Sequence, residues 1–170
     1  MLISYKKHNL KNMEFSHIDK NNQPKMVDVG GKKSSKRKAT AIAVMKAGEE
    51  IISLLEDNDF KTKKGPVFQT AIIAGIQAVK KTAELIPMCH PLMIDGVDLS
   101  IAVKDSVHIE ILCTVKIEGK TGVEMEALTG ATVADLTVYD MCKSISQNIT
   151  IKEVKLLEKT GGKSDVKTAR

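Results

Sequence analysis

Residues 97–117 read VDLSIAVKDSVHIEILCTVKI, and this stretch decides the fold class. Residues 97–103 and 107–117 are rich in Val, Ile and Leu, and only the polar triplet KDS separates them. Two such runs joined by a short polar turn are typical of a β-hairpin. We therefore predict two adjacent antiparallel strands in the middle of the chain.

The segments on either side of this hairpin each combine one strand with one helix. Before it, ATAIAVM at 39–45 predicts a strand, and the Ala- and Ile-rich residues 67–83 predict a helix. After it, a long helix is expected over 122–146 and a closing strand over 149–159. This order is the split βαβ pattern, so we predict an α+β, ferredoxin-like domain with an antiparallel sheet.

Length and composition fit one domain with an extra N-terminal segment. The chain has 170 residues, of which 42% are hydrophobic, enough for one ordinary core. Residues 1–25 are polar and show no period, so we expect an N-terminal arm there. The single domain would span 26–160, with a short helix at 47–57, and 161–170 would form a flexible C-terminal tail.

The charge balance indicates an anionic partner. The net charge is +5, and the pI is about 9.0. Aromatic residues make up only 3% of the chain, which disfavours a surface that stacks nucleic-acid bases. No basic amphipathic helix with bulky apolar anchors is evident, which argues against membrane binding. A small phosphorylated ligand is the remaining class.

Targeting signals and cysteines indicate a reducing, cytoplasmic compartment. The chain has no run of about 18 apolar residues, and its first residues lack the apolar centre of a signal peptide. Cys89, Cys113 and Cys142 cannot all pair within one chain. None of them forms a C-x-x-C pair, so the sequence gives no support for a zinc site. We predict no metal and no cofactor.

The C-terminal stretch KTGGKSD, residues 159–165, ends like a nucleotide-hydrolase phosphate loop but is not one. That motif requires a glycine five residues before Gly162, where this chain has Leu157. Only six residues follow Ser164, too few for the helix that the motif requires. We interpret the stretch as a mobile cationic arm instead.

The long predicted helix carries the most informative charges. Thr121 and Glu124 have the spacing of a capping box, which is the structural interpretation of Glu124. Glu126 lies on a helix that is apolar nearly all round, so its charge must face a partner or a site. Asp140 and Lys143, at i and i+3, are either a proton-transfer pair in an apolar YDMCKS setting or a simple ion pair. Glu126 and Asp140 are about 21 Å apart along one helix, too far to act on the same atoms.

Other candidates come from the loops. His90 lies between Pro87 and Pro91, which suits either a hydrogen bond to a ligand or a structural histidine. Its neighbour Cys89 is not its catalytic partner, because adjacent side chains usually point apart. The other histidines are interpreted as surface or structural residues: His8, His17 and His108.

Three cationic segments flanked by glycine would suit an oligophosphate, although solvated loops are the simpler interpretation. They comprise Lys32, Lys33, Lys36, Arg37 and Lys38; Lys61, Lys63 and Lys64; and Lys159 and Lys163.

The sequence resembles the cyclic pyranopterin monophosphate synthases, the molybdenum cofactor biosynthesis protein C (MoaC) family, over roughly residues 14–167. The resemblance rests on long and unusual blocks. They are KKTAELIPMCHPLMIDGVDL, GKTGVEMEALTGATVADLTVYDMCKS and LLEKTGGKSD, supported by MVDV and KGPVFQTAIIAGIQAVKK.

The resemblance implies a ferredoxin-like catalytic subunit in a dimer-built hexamer, with active sites at the dimer interface. It implies conversion of 3′,8-cyclo-7,8-dihydroguanosine 5′-triphosphate to cyclic pyranopterin monophosphate, with release of pyrophosphate and without a redox cofactor. It assigns the catalytic roles to Asp140, Lys143 and Lys64. It assigns substrate binding to Met88, Cys89, His90, Glu124, Met125, Glu126, Arg37 and Lys159, and we add Lys163 from the same arm.

Two other functions stay open at the level of sequence. The basic pI and the predicted order of elements are compatible with a ferredoxin-like nucleic-acid-binding module, which the shortage of aromatic residues disfavours. A non-catalytic oligomeric scaffold is the third possibility. Measurements of turnover and of salt-dependent RNA binding distinguish these classes.

Overall fold

The computed structural model describes residues 17–54 and 58–169 and consists of a twisted sheet with helices against it. The strands are β1 (Ser35–Lys46), β2 (Lys61–Thr62), β3 (Gly65–Pro66), β4 (Gly96–Val103), β5 (His108–Gly119), β6 (Thr150–Thr160) and β7 (Val166–Lys167). The helices are α1 (Glu49–Ile52), α2 (Val67–Lys80), α3 (Thr82–Leu85) and α4 (Glu124–Cys142).

The predicted ferredoxin-like arrangement is confirmed. The main sheet has the order β4-β5-β1-β6-β7, and β2 and β3 form a separate small hairpin. Strand β1 lies between β5 and β6 and is antiparallel to both. The predicted hairpin is β4 and β5, paired from Gly96 with Lys116 to Val103 with Ile109. The first and last long strands, β1 and β6, are therefore neighbours within the sheet.

The core lies between the sheet and the two long helices. Alternate residues of β1, Ala39, Ala41 and Ala43, are fully buried in the cluster that packs against α4. Because alanine is small, helix α4 can lie close to the centre of the sheet. The larger side chains of this core include Ile109, Ile111, Val115, Val67, Val79 and Val138.

Helices α2 and α4 cross at two glycines. A Cβ atom on Gly130 would lie 2.6 Å from the Val79 Cγ2 atom and 2.7 Å from the Cys113 Sγ atom. A Cβ atom on Gly75 would lie 2.8 Å from the Gly130 carbonyl oxygen. These distances are too short for real side chains, so each glycine is required by the close approach of the other helix.

We expect Gly130→Ala to lower the free energy of unfolding by about 2 kcal/mol, since overpacking outweighs the higher helix propensity of alanine. Urea denaturation measures this change. Gly96→Ala is the matched control, because a Cβ atom there meets nothing within 4 Å. Equal stability of the two variants would contradict the close packing at Gly130.

Several predicted boundaries differ from the structure. The helix predicted over 67–83 breaks at Lys81, whose φ of −106° is not helical, so α2 and α3 are separate. The long helix is shorter than predicted, with α4 covering Glu124–Cys142. The helix predicted over 47–57 is the four-residue α1, and residues 55–57 of that prediction lie outside the described part.

The predicted basic loop and the predicted tail also contain strand residues. Lys36, Arg37 and Lys38 belong to β1, because pairing with the end of β5 extends the strand beyond its apolar residues. In the predicted tail, β7 pairs with β6 at Glu158 and Lys159. Of the predicted N-terminal arm, residues 1–16 lie outside the described part, and Ile18 forms an isolated bridge with Pro24.

Among the helices of the described residues, none has the length and apolarity needed to cross a bilayer.

Candidate active site

The C-terminal end of α4 carries a cluster of two lysines around one aspartate. The Lys143 Nζ atom lies 2.6 Å from Asp140 Oδ1, and the Lys64 Nζ atom lies 2.9 Å from Asp140 Oδ2. Lys64 is on the turn between β2 and β3, 76 residues before Asp140 in the chain. The structure therefore brings together all three residues to which the family resemblance assigns catalysis.

The lysines set the protonation state of this cluster. Hydrogen bonds and charge from Lys143 and Lys64 lower the pKa of Asp140 to about 2. The pKa of Lys143 is raised in turn, mainly by its hydrogen bond to Asp140. At neutral pH the cluster thus holds one carboxylate between two ammonium groups.

The cluster is exposed to solvent in the described chain, contrary to the expectation from its apolar sequence neighbours. The side chains of Asp140 and Lys143 are 53% and 54% exposed. Met141 and Cys142 are buried, but they point into the core on the opposite side of the helix. Helical geometry explains the difference, because the apolar neighbours in sequence face another direction.

A cavity of about 720 Å³ lies at the other end of α4. All nine predicted substrate-binding residues line it: Arg37, Met88, Cys89, His90, Glu124, Met125, Glu126, Lys159 and Lys163. They come from β1, the loop before β4, the first turn of α4, the end of β6 and the turn after it. Asp140, Lys143 and Lys64 do not line this cavity.

Glu124 holds Lys159 at the wall of the cavity, and the predicted capping box is wrong. The Lys159 Nζ atom donates a hydrogen bond of 2.8 Å to Glu124 Oε1. Helix α4 begins after Val123 without a side-chain cap, and the buried Thr121 hydroxyl has no partner within the described residues. The long-range ion pair engages the Glu124 carboxylate that a local cap requires.

A buried carboxyl group, that of Glu126, and a half-buried thiol, that of Cys89, both line the cavity. Glu126 is only 3% exposed, and burial raises its pKa, with a further contribution from the charge of Glu124. Burial likewise raises the pKa of the Cys89 thiol, and the charge of Glu126 adds to this effect. Because the Cys89 thiol is held protonated, it is suited to hydrogen bonding rather than to nucleophilic attack.

His90 and Arg37 are fixed by backbone carbonyls. The His90 Nε2 atom lies 2.8 Å from the carbonyl oxygen of Val27, in the irregular segment before β1. Arg37 donates from Nε to the Gly119 carbonyl at 2.9 Å, so the rest of its guanidinium is available at the cavity. These contacts orient both side chains before any ligand binds.

The cavity includes cations that the sequence analysis did not select as single site residues. Lys120 lines it and donates a hydrogen bond of 2.7 Å to the Gly30 carbonyl. Lys32, Lys38 and His17 also line it. Lys120 could have been found from its position between the end of β5 and the first turn of α4. His17 could not, because its segment has no pattern in the sequence.

Comparisons with known proteins follow the same residues. The family model described as "MoaC family" matches residues 26–162, which is most of the chain. The chain belongs to the MoaC family. The matched residues include the whole lysine–aspartate cluster of this MoaC-family chain and most of its cavity lining, whereas His17 and Lys163 lie outside the match.

Three relatives show the extent of the similarity. A cyclic pyranopterin monophosphate synthase of Peptoclostridium acidaminophilum is 46% identical over 89% of this chain and 95% of its own. A molybdenum cofactor biosynthesis bifunctional protein of Synechocystis is 52% identical, with 89% of this chain and 45% of that protein covered. Molybdenum cofactor biosynthesis protein 1 of Dictyostelium discoideum is 47% identical, with 91% and 27% covered. The MoaC-family chain thus spans less than half the length of the last two relatives.

Proposed function

We propose that this chain is a lyase of molybdenum cofactor biosynthesis, a cyclic pyranopterin monophosphate synthase. Its substrate would be 3′,8-cyclo-7,8-dihydroguanosine 5′-triphosphate, and its products cyclic pyranopterin monophosphate and pyrophosphate. The observation that carries the proposal is the combination, in a MoaC-family chain, of a cation-lined cavity and an exposed lysine–aspartate–lysine cluster. The cavity suits an oligophosphate ligand, and the cluster suits proton transfer.

The cavity would hold the substrate by charge and by hydrogen bonds. Arg37, Lys159 and Lys163 would neutralise the triphosphate and the departing pyrophosphate. The ring system would contact Met88, Cys89, His90, Met125 and Glu126, which line the same cavity. Burial raises the pKa of Glu126, which makes this carboxyl group easier to protonate than an exposed glutamate.

Proton transfer would use the cluster at the end of α4. At neutral pH the carboxylate of Asp140, whose pKa is about 2, is ionised. It would accept a proton from the substrate once Lys64 and Lys143, whose contacts lower that pKa, turn to the substrate. Lys143 would be the proton donor, because its pKa, which the hydrogen bond to Asp140 raises, falls again when that bond is exchanged for one to the substrate. Lys64 would stabilise negative charge on the same side. Asp140, the proposed proton acceptor, and Lys143, the proposed proton donor, are in contact. A proton taken from one ring atom could therefore be returned to another through this pair.

We further propose that the active site is completed by a second subunit, in a dimer-built hexamer in the cytoplasm. Glu126 and Asp140 are separated by about 21 Å along α4, and the cluster lies outside the cavity. A symmetric dimer can place the cluster of one subunit against the cavity of the other. Burial in that interface would also provide the desolvation that the cluster lacks in one subunit.

Direct turnover tests the proposed function. The protein is incubated with the cyclised GTP intermediate, and pyrophosphate and the pyranopterin product are quantified together. We expect both products in equal amounts, since one pyrophosphate leaves for each ring closed. Absence of both, with the oligomer intact by light scattering, would favour the scaffold instead.

Mixing two inactive variants tests the shared site. Asp140→Asn and Glu126→Ala subunits are denatured, mixed in equal amounts and refolded together. Mixed dimers contain one intact cavity facing one intact cluster, so we expect activity to return to about one quarter of wild type. If mixed dimers form but their activity does not exceed that of the separate variants, each active site lies within one subunit.

We expect Lys159→Gln to raise KM for the triphosphate substrate about tenfold, with a smaller effect on kcat. The lost ammonium group is a charged hydrogen-bond donor that is held at the cavity before the reaction begins. Lys152→Gln, an exposed position on the same strand that does not line the cavity, is the control. Equal KM values for the two variants would remove Lys159 from phosphate binding.

A further inference from the structure

The carboxylate of Asp59 ties the hairpin that carries Lys64 to the start of α2. Its Oδ1 atom accepts hydrogen bonds from the backbone N–H groups of Phe60 at 2.6 Å and Phe68 at 2.7 Å. Its Oδ2 atom accepts from the N–H of Gln69 at 3.2 Å. Asp59 thus contacts both ends of the short chain segment between residues 60 and 68.

Asp59 serves α2 as a cap from outside the helix. Pro66, at the N-cap position, has no side-chain acceptor, so the first N–H groups of α2 need another partner. Phe68 and Gln69 provide the second and third of these groups, the usual targets of a capping side chain. The negative charge is also favourable at the positive end of the helix dipole.

The base of the hairpin is closed by further contacts next to Asp59. The Val67 N–H donates to the Phe60 carbonyl at 2.9 Å. The rings of Phe60 and Phe68 pack edge to face at 5.1 Å and are nearly fully buried. The base of the hairpin is therefore anchored in the core, whereas its tip is exposed.

The tip of the hairpin has a defined turn that presents Lys64. The Thr62 hydroxyl donates to the Gly65 carbonyl and accepts from the Lys64 N–H, both at 3.1 Å. Gly65 has a φ of +108°, which side chains rarely tolerate, so the turn requires glycine. Lys64 then extends to Asp140, and the charge of Asp59 reaches α4 as well, since it adds to burial in raising the pKa of Cys142 to about 11.

We propose that Asp59 is a positioning residue for the reaction, acting through Lys64. This inference rests on the proposed function, in which Lys64 acts on the substrate. Lys64 is 58% exposed and on a two-stranded hairpin, which alone is marginally stable in water. Anchoring by Asp59 restricts the lysine to the side of α4 where Asp140 lies. Loss of such placement can reduce turnover by about 100-fold without changing any reacting group.

A double-mutant cycle tests the proposal. Turnover is measured for wild type, Asp59→Ala, Lys64→Ala and the double variant with the cyclised GTP substrate. We expect Asp59→Ala to lower kcat about 10- to 100-fold while KM changes less than about threefold. The double variant should be no slower than Lys64→Ala alone, because Asp59 then has nothing left to position.

Two further variants separate positioning from loss of stability. Asp59→Asn keeps one oxygen acceptor for the Phe68 N–H and should recover most of the lost kcat. Ala78→Gly destabilises the other end of α2 without contacting the hairpin, and its kcat should remain near wild type. Urea denaturation of every variant shows that each is folded under the assay conditions.

The possible outcomes distinguish this proposal from the proposed function. If the effects of Asp59→Ala and Lys64→Ala multiply in the double variant, Asp59 acts independently of Lys64 and the proposal is overturned. If Ala78→Gly lowers kcat as much as Asp59→Ala, the effect is one of stability. If Lys64→Ala turns over like wild type, the assignment of Lys64 fails instead. If Asp59→Ala does not fold, Asp59→Asn takes its place in the cycle, and a loss of kcat that multiplies with that of Lys64→Ala, or that exceeds it, would overturn the proposal.

Discussion

Asp140→Asn is expected to lower kcat about 100- to 10,000-fold, the range in which loss of a positioned proton acceptor usually falls. Asparagine has the same shape but cannot take up a proton, and it loses the charge that holds both Lys64 and Lys143. KM should change much less, because Asp140 does not line the cavity in which the phosphates would bind. Pyrophosphate release under saturating substrate measures the effect.

The matched control for this variant is Glu153→Gln. Glu153 is also partly exposed and paired with a lysine, Lys155, at 3.3 Å, but it is on β6 away from the cavity. Asp140→Asn removes two surface ion pairs and Glu153→Gln removes one, and such pairs contribute little to stability. Only Asp140→Asn should lose turnover, and a kcat within about threefold of wild type would exclude Asp140 from the proton transfer.

The fold was predictable because periodic patterns are local. The hairpin of β4 and β5 follows from two adjacent β-rich runs, and α2 and α4 follow from long Ala-rich segments. The order of these elements leaves few topologies with short, right-handed connections. The break at Lys81 was not predictable, since nothing in the sequence before it differs from a continuing helix.

The candidate site was only partly predictable, because its contacts join distant parts of the chain. Asp140 and Lys143 share a helix, so their pairing could be predicted from spacing, whereas the reach of Lys64 to them could not. The capping interpretation of Glu124 failed for the same reason, as Lys159 is 35 residues away in sequence. Lys64 and Lys159 were two among several residues of the cationic segments, and only the family resemblance assigned each of them a role.

The sequence did not indicate that Asp135 is buried. Asp135 lies on α4 and is fully buried, and neither carboxylate oxygen has a hydrogen-bond partner among the described residues. Desolvation raises its pKa to about 6. A helix with this many apolar positions gives no sign, from sequence alone, of which polar residue is turned toward the core.

We expect Asp135→Ala to raise the free energy of unfolding at pH 7.5, with an upper limit of about 3 kcal/mol. The folded pKa lies above the unfolded value, so the folded state binds more protons than the unfolded chain between these two values. Stability of the wild type therefore falls as pH rises from about 4 to about 6 and stays low above that range. The cavity left by alanine offsets part of the gain.

Chemical denaturation at pH 4.5 and 7.5, at one fixed protomer concentration, separates the charge from the cavity. The advantage of Asp135→Ala should be largest at pH 7.5 and should shrink or reverse at pH 4.5, where the wild-type carboxyl is neutral. Asp105→Asn provides a control of opposite sign. Hydrogen bonds from Val107 and His108 lower the pKa of Asp105, so its loss should destabilise the protein most at neutral pH. A gain for Asp135→Ala that is the same at both pH values would show that folding does not raise the pKa of Asp135.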